Sequence, residues 1–308
     1  FIVVLALLMT LVGMSASAEE VTRVTATSSG NAHVQFSNGY IGFCIDQRKL
    51  GAGKTEMFSV SDASDAKKND INGDDTQADI SQCLKTMLVY CHDDVFERYV
   101  SADGEEGGYY FTYVKSNSSG LVLVNVFWEF SDDRSITSDI DLRPAEKALI
   151  DKVRQCVTDH NPQIPNHYRH LIDEDEGIYA TFDFAMMIPD DPRTQNFFAF
   201  KVSYDREVEA DVNDPLRLSA QVDEYADKSY EWAEWVDDAD GGSYHVIGSE
   251  TDGVYEIGTI TNDHHGKIYR CIVTDNYNNA VPYYFTIKVN GVSQQPEVMI
   301  AGDKTSCE

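Results

Sequence analysis

Between about Asp205 and Val292 the chain repeats one pattern: short runs of alternating apolar and polar residues, each closed by a turn signal. Leu216–Val222, Tyr230–Trp235, Tyr244–Ile247, Val254–Ile257, Ile268–Val273 and Tyr283–Val289 all follow it. A period of two places every second side chain on one face of a strand, whereas a helix needs apolar residues three and four apart. The cadence therefore predicts an all-β sandwich over residues 205–292.

Residues 21–204 read differently. Ala32–Phe36, Tyr109–Val114 and Leu121–Trp128 are apolar or alternating runs that predict strands. Pro144–Val157 has proline at a first-turn position and apolar residues at helical spacing, and Gln82–Tyr90 is a second helical candidate. Acidic loops are expected at Ser61–Asp79 and Ser101–Gly108. The expected fold class is an α+β N-terminal domain, mostly β with a helical insertion, followed by an all-β sandwich.

The chain has 52 Asp and Glu against 24 Lys and Arg, a formal charge of −28. Such a surface repels phosphate backbones and anionic lipid, which excludes nucleic-acid and membrane-surface binding as working hypotheses. At 42% hydrophobic residues the chain has enough apolar side chains for a sizeable core. The first residues, Phe1–Met14, form an apolar run followed by Ala16-Ser17-Ala18, the small-x-small pattern of a signal-peptidase site. Residues 1–18 are read as a secretory signal, so an exported protein is expected. The run is short for a membrane span and is followed by Glu19-Glu20, and no later segment is apolar enough to insert.

Six cysteines occur without CxxC or CxxC…HxxxH spacing, so neither a metal nor a cofactor is expected. In an exported chain one or two disulfides are expected among Cys83, Cys91 and Cys156, with the pairing open. Asp70-Ile71-Asn72-Gly73-Asp74-Asp75 is similar to the start of a calcium loop. It has Asp75 where glycine is needed and Ser81 where the closing glutamate belongs, so a solvated acidic loop is expected. His160, His167 and His170 are read as loop residues.

Two family resemblances follow from local motifs. Gly266-Lys267-Ile268-Tyr269-Arg270-Cys271, with one residue more between Gly and Tyr, resembles the G-x-Y-x-C step of immunoglobulin-like domains, with Trp232 or Trp235 where the core tryptophan would fall. Leu218 and Ala220 stand where the partner cysteine would be, so Cys271 is expected to be a buried thiol. Gln295–Cys307 is similar to the opening of another such module, which makes 293–308 the start of a further repeat.

Residues from about Val34 to Val202 resemble the thioester domains of Gram-positive surface adhesins. Phe43-Cys44-Ile45 matches the family's first motif, and Thr194-Gln195-Asn196-Phe197-Phe198 matches the closing one. The central motif, Thr-Gln-x-Ala-hydrophobic-Trp, is replaced by Leu123–Trp128, which keeps the aromatic end and lacks both Thr and Gln. The resemblance implies a covalent bond between the Cys44 and Gln195 side chains, shielded by an apolar wall of Phe43, Trp128, Phe197 and Phe198. It also implies a bacterial cell-surface protein that couples, through a reactive lysine amine, to a host or matrix protein. The transfer is single-use, so the protein is not an enzyme in the ordinary sense. Two other classes stay open: a non-covalent stalk carrying a degenerate copy of the domain, and a cysteine-nucleophile enzyme built on Cys44.

Overall fold

The computed structural model describes residues 22–29, 33–46, 49–53, 55–66, 80–100, 104, 106–111, 122–132, 142–222, 229–237, 241–248, 253–275 and 280–292. The expected leader at 1–18, the repeat at 293–308 and the calcium-like motif at 70–75 lie outside the described residues.

The first strands are β1 (Arg23–Ser29), β2 (Val34–Phe36), β3 (Ile41–Cys44) and β4 (Met57–Ser61). Helices α1 (Ile80–Tyr90) and α2 (His92–Val95) lead into the β5 (Phe96–Val100) and β6 (Glu106–Phe111) pair. Then come α3 (Leu123–Asp132), α4 (Pro144–His160), β7 (His167–Asp173), β8 (Ile178–Pro189) and β9 (Phe197–Ala210). The remaining strands are β10 (Pro215–Ser219), β11 (Ser229–Val236), β12 (Ser243–Gly248), β13 (Val254–Thr259), β14 (Ile268–Thr274) and β15 (Ala280–Val289). The protein is thus mostly β with a few helices.

Strand pairing closes on itself. The order β9-β3-β2-β1-β4-β8 is antiparallel throughout, and β8 pairs back onto β9, making a six-stranded barrel. Alternation then sorts the side chains. Cys44, Phe197, Ala199, Ala185 and Met187 belong to the interior cluster with Val24, Val34, Phe36 and Phe58, whereas Phe43, Phe198, Phe200, Phe184 and Met186 belong to the larger cluster on the outer face. Inside, Phe36, Phe58 and Phe197 meet edge to face with ring centroids 5.1 to 5.9 Å apart. Gly42 gives them room: a Cβ there would come within 2.6 Å of the Phe36 ring and 3.0 Å of Phe197 Cβ.

The helices cover the outer face. Along α4 the buried residues Glu146, Leu149, Ile150 and Val153 recur at helical spacing, and Pro144 opens the helix as expected. A strand was expected over 121–128, but residues 123–128 instead belong to α3. Their Leu, Val and Phe content suits a pleated sheet, but Leu123, Phe127 and Phe130 are spaced for one helix face and pack toward the barrel. The buried carboxylate of Glu146 accepts hydrogen bonds from Val122 N, Asn125 Nδ2 and Arg143 N, at 3.2, 2.8 and 2.8 Å. One side chain thus satisfies donors at the start of both α3 and α4.

Two expected loops are also corrected. Glu106–Gly108 belong to β6, and Ser61 ends β4. His160 closes α4, whereas His167 and His170 lie on β7 rather than in a loop. Cys91, Cys156 and Cys271 are free thiols in the structure. Burial pushes the Cys91 thiol up to about 12 and raises Cys271 further.

Past Tyr204, β9 leaves the barrel and runs parallel to β15, with Tyr204 beside Tyr283 and Ala210 beside Val289. The sheet continues β15-β14-β11-β12, and the separate β10–β13 pair packs across it. Trp232 fills the space between, stacked on Tyr255 and tilted against Phe285, each at 5.6 Å. Tyr109, Tyr204 and Tyr283 stack at 5.2 Å intervals where this region meets the barrel, and Tyr283 Oη donates to Tyr109 O.

Candidate functional site

Cys44 ends β3, 6% exposed, opposite Phe197 at the start of β9. Gln195 lies two residues before Phe197. The ladder continues one step past the named strands, because Ile45 N donates to Asn196 O at 3.1 Å. Extended in that register, Gln195 falls across from Asp46, on the face carrying Cys44 and Phe197, diagonal to Cys44. Diagonal neighbours in an antiparallel ladder lie about 7–8 Å apart, within reach of a long side chain. A further zipper fixes the loop: Leu50 N bonds Arg193 O and Gln195 N bonds Leu50 O, both at 2.9 Å.

Asp46, 2% exposed, ties the two segments together. Its backbone N–H donates to Cys44 Sγ at 3.3 Å, and its carboxylate accepts from Asn196 N at 3.0 Å and pairs with Lys49 Nζ at 3.1 Å. The donor aimed at sulfur fixes the Cys44 side chain and stabilises negative charge that builds there. The carboxylate fixes the backbone immediately after Gln195. The Gln195 carboxamide itself donates through Nε2 to Lys49 O at 3.0 Å. Asp46 is not among the residues the sequence motifs single out. Its spacing two residues after the cysteine, on the same strand face, was the available signal.

The four aromatic residues expected as a pocket wall divide between two faces. Phe197 shares the barrel interior with Cys44. Phe43 and Phe198 point to the outer face, where Phe43 stacks on Phe127 at 4.4 Å and Phe198 lies 6.4 Å from the same ring. Trp128 packs against both clusters. A residue on an outside helix reaches an interior cluster only over the rim, so Trp128 roofs one end of the barrel.

No protein-family model matches the chain, and no curated protein is similar to it at a significant level. Among the described residues no three His, Cys, Asp or Glu side chains gather to hold a metal ion, and no helix is long and apolar enough to cross a membrane.

His33 sits just ahead of β2, its ring 6.3 Å from Phe43. Burial holds its pKa down to about 4, against an ordinary 6.5, with Asp275 opposing weakly. Burial lowers His92 in the same direction. Below pH 6.5 the unfolded chain takes up protons that the native state refuses, so stability falls with acidification until the folded pKa is reached. For His33 the gap from 6.5 to about 4 corresponds to roughly 3 kcal/mol. Melting temperature is expected to drop from pH 7 to pH 4.5, and His33→Gln to flatten part of that slope. An identical slope in the variant would remove His33 from this account.

Proposed function

We propose that the protein is a secreted bacterial surface adhesin in which Cys44 and Gln195 form an internal thioester that couples to amines on a host or neighbouring surface. The carrying observation is the β3–β9 ladder with Asp46 across it, which brings the cysteine and glutamine segments together although 150 residues separate Asp46 from Asn196. The Cys44 thiol, deprotonated, attacks the Gln195 carboxamide carbon; the tetrahedral adduct expels ammonia and leaves the thioester. Amides are weak electrophiles, so the step depends on fixed near-attack geometry, which the bonds of Asp46 and Leu50 favour. An incoming uncharged amine then attacks the carbonyl, Cys44 leaves as thiol, and an amide to Gln195 remains. Trp128 and Phe197 would limit water at the sulfur. Phe43 and Phe198 support the site from the outer face instead of lining it.

Residues 205–292 are proposed to be an immunoglobulin-like module that presents this domain. Parallel pairing of β9 with β15, the order β15-β14-β11-β12, the opposed β10–β13 pair and the buried Trp232 beside Cys271 all support that reading.

Intact mass of the mature chain, beside its Cys44→Ala variant, tests the thioester. A Cys44-dependent deficit of about 17 Da, replaced by an adduct after methylamine treatment, is expected. A wild-type chain lacking both the deficit and the adduct would leave a non-covalent adhesive or stalk protein, in which Gln195 simply keeps its bond to Lys49 O.

A further inference from the structure

Strand β9 changes partner along one edge. It pairs with β3 up to Phe200 and with β15 from Tyr204, while β8 follows its other edge from Phe197 to Asp205. Because Asn196 O accepts from Ile45 N, alternate residues 196, 198, 200 and 202 turn their peptide groups toward the changing edge. Val202 falls in the gap. The parallel register that sets Tyr204 beside Tyr283 would aim the N–H of residue 282 at Val202 O, and residue 282 is proline. The missing donor ends the β15 ladder there and leaves that carbonyl without a ladder partner.

The gap opens into a cleft of about 320 Å³, with Gly39 and Ile41 on one side and Ala280 to Pro282 on the other. Its floor continues the barrel's interior face. Lys201 and Ser203 follow Phe197 and Ala199 along β9, and Asp183 and Thr181 stand opposite them on β8. The cleft is therefore the barrel mouth at the end away from Cys44, whose neighbour Phe197 precedes Lys201 by four residues, about 13 Å of strand. Lys201 Nζ lies over the Tyr40 ring at 4.6 Å, and Asp183 is bonded to His167 Nδ1 at 2.6 Å. Lys201 and Asp183 form no ion pair with each other, and the Thr181 and Ser203 hydroxyls have no partner among the described residues. Tyr284 adds a ring on the same face, beside Asp205 in the β9–β15 register.

We infer that this barrel mouth binds a neutral saccharide, with one pyranose ring in the cleft. Its one carboxylate and one ammonium cancel, which favours an uncharged ligand over an anion or a cation. A gap of one residue is too short to take in a peptide strand. Acceptors (Asp183, Val202 O), a donor (Lys201) and groups that do both (Thr181, Ser203) suit a polyol, in which every hydroxyl donates and accepts. An apolar face of the sugar lies against the Tyr284 ring. Barrel mouths are a favoured place for small ligands, and about 320 Å³ is at the small end for such clefts, which fits one ring and not a chain. The site does not depend on the Cys44–Gln195 reading.

Titrating the full chain with glucose, galactose, mannose and N-acetylglucosamine while following backbone amide NMR shifts tests this. At least one sugar is expected to shift the Lys201, Val202 and Ser203 amides with a Kd of roughly 1–10 mM, as befits a small polyol. Glycine, which offers both charges and no hydroxyl, is expected to leave them in place. Thr181→Ala combined with Ser203→Ala should weaken the sugar about tenfold, because two hydrogen bonds are lost from surface positions that the fold does not need. Pro282→Ala is the sharper variant. It restores an N–H that can bond Val202 O and extend the ladder by one step, so it should weaken the sugar about fivefold while the protein stays folded. The inference is overturned if none of the four sugars shifts these amides at concentrations tenfold above that range, or if the shifts fall elsewhere in the chain. Glycine binding in place of every sugar, or a sugar affinity untouched by both variants, would overturn it as well.

Discussion

Glu146→Ala is expected to lower the unfolding free energy by about 3–5 kcal/mol, as three buried donors lose their shared acceptor. The carboxylate is fully buried and accepts from Val122 N, Asn125 Nδ2 and Arg143 N. Truncation strands three donors, and each unsatisfied buried group costs about 1–3 kcal/mol. Glu146→Gln keeps the shape and one acceptor oxygen, so its cost should be markedly smaller. Urea unfolding measures both, and an unchanged m-value would show that stability rather than compactness had shifted. Loss of under 1 kcal/mol in Glu146→Ala would mean that water replaces the carboxylate and that α3 is held by packing alone. Under the thioester proposal the same variant has a second consequence: loosening α3 unseats Trp128 from the barrel rim, so any thioester at Cys44 should hydrolyse faster.

Phe127→Ala should cost a comparable amount, about 3–5 kcal/mol, by emptying a ring-sized volume. Phe127 is fully buried, with its ring stacked on Phe43 at an interplanar angle of 13°. It is the contact through which α3 meets the outer face of β3, so the vacated space cannot be filled by solvent-facing atoms. A double-mutant cycle with Phe43→Leu isolates the ring–ring part, expected at about 0.5–1.5 kcal/mol beyond area burial. Additive single effects would show that the two rings act only as bulk. The two predictions differ in kind, one reporting stranded donors and the other lost contact, although both loosen the same helix.

Local features were the legible ones. Pro144 with Leu149, Ile150 and Val153 announced α4, and strict alternation announced β11, β14 and β15. The strand expected over 121–128 is instead largely helix from Leu123 on, because a helix buried on several sides has the composition of a buried strand, and only its continuation to Phe130 reveals the longer period. Barrel closure joins β4 to β8 and β8 to β9, contacts that no local pattern encodes. A compositional shift near residue 205 is real, yet β9 runs through that position from Phe197 to Ala210, so a change in pattern need not coincide with a break in the chain's hydrogen bonding. At the site, the order of the motifs around Cys44 and Gln195 could be read, whereas the bond from Asn196 N to Asp46 depends on register and could not. Phe43 and Phe198 fell to the opposite face from Cys44 for the simplest reason: each is one residue away in a strand from a residue that points inward.

The run of β9 through both regions sets how the molecule carries tension. A pull on residues 290–292, opposed at the barrel, draws β15 lengthwise along β9, because the strands are parallel and Val289 lies beside Ala210. The row from Tyr283 to Val289 is then loaded together in shear, whereas a pull across the strands would open it one bond at a time. Resistance to such loading is a matter of rate, set by the barrier to first slippage and not by the total free energy of folding. Past that row the load passes along the same uninterrupted strand to Phe197, opposite Cys44. Under the proposed chemistry the coupled amine sits on Gln195, two residues before that strand begins, and is in line with the pull, with no break in β9 to act as a fuse.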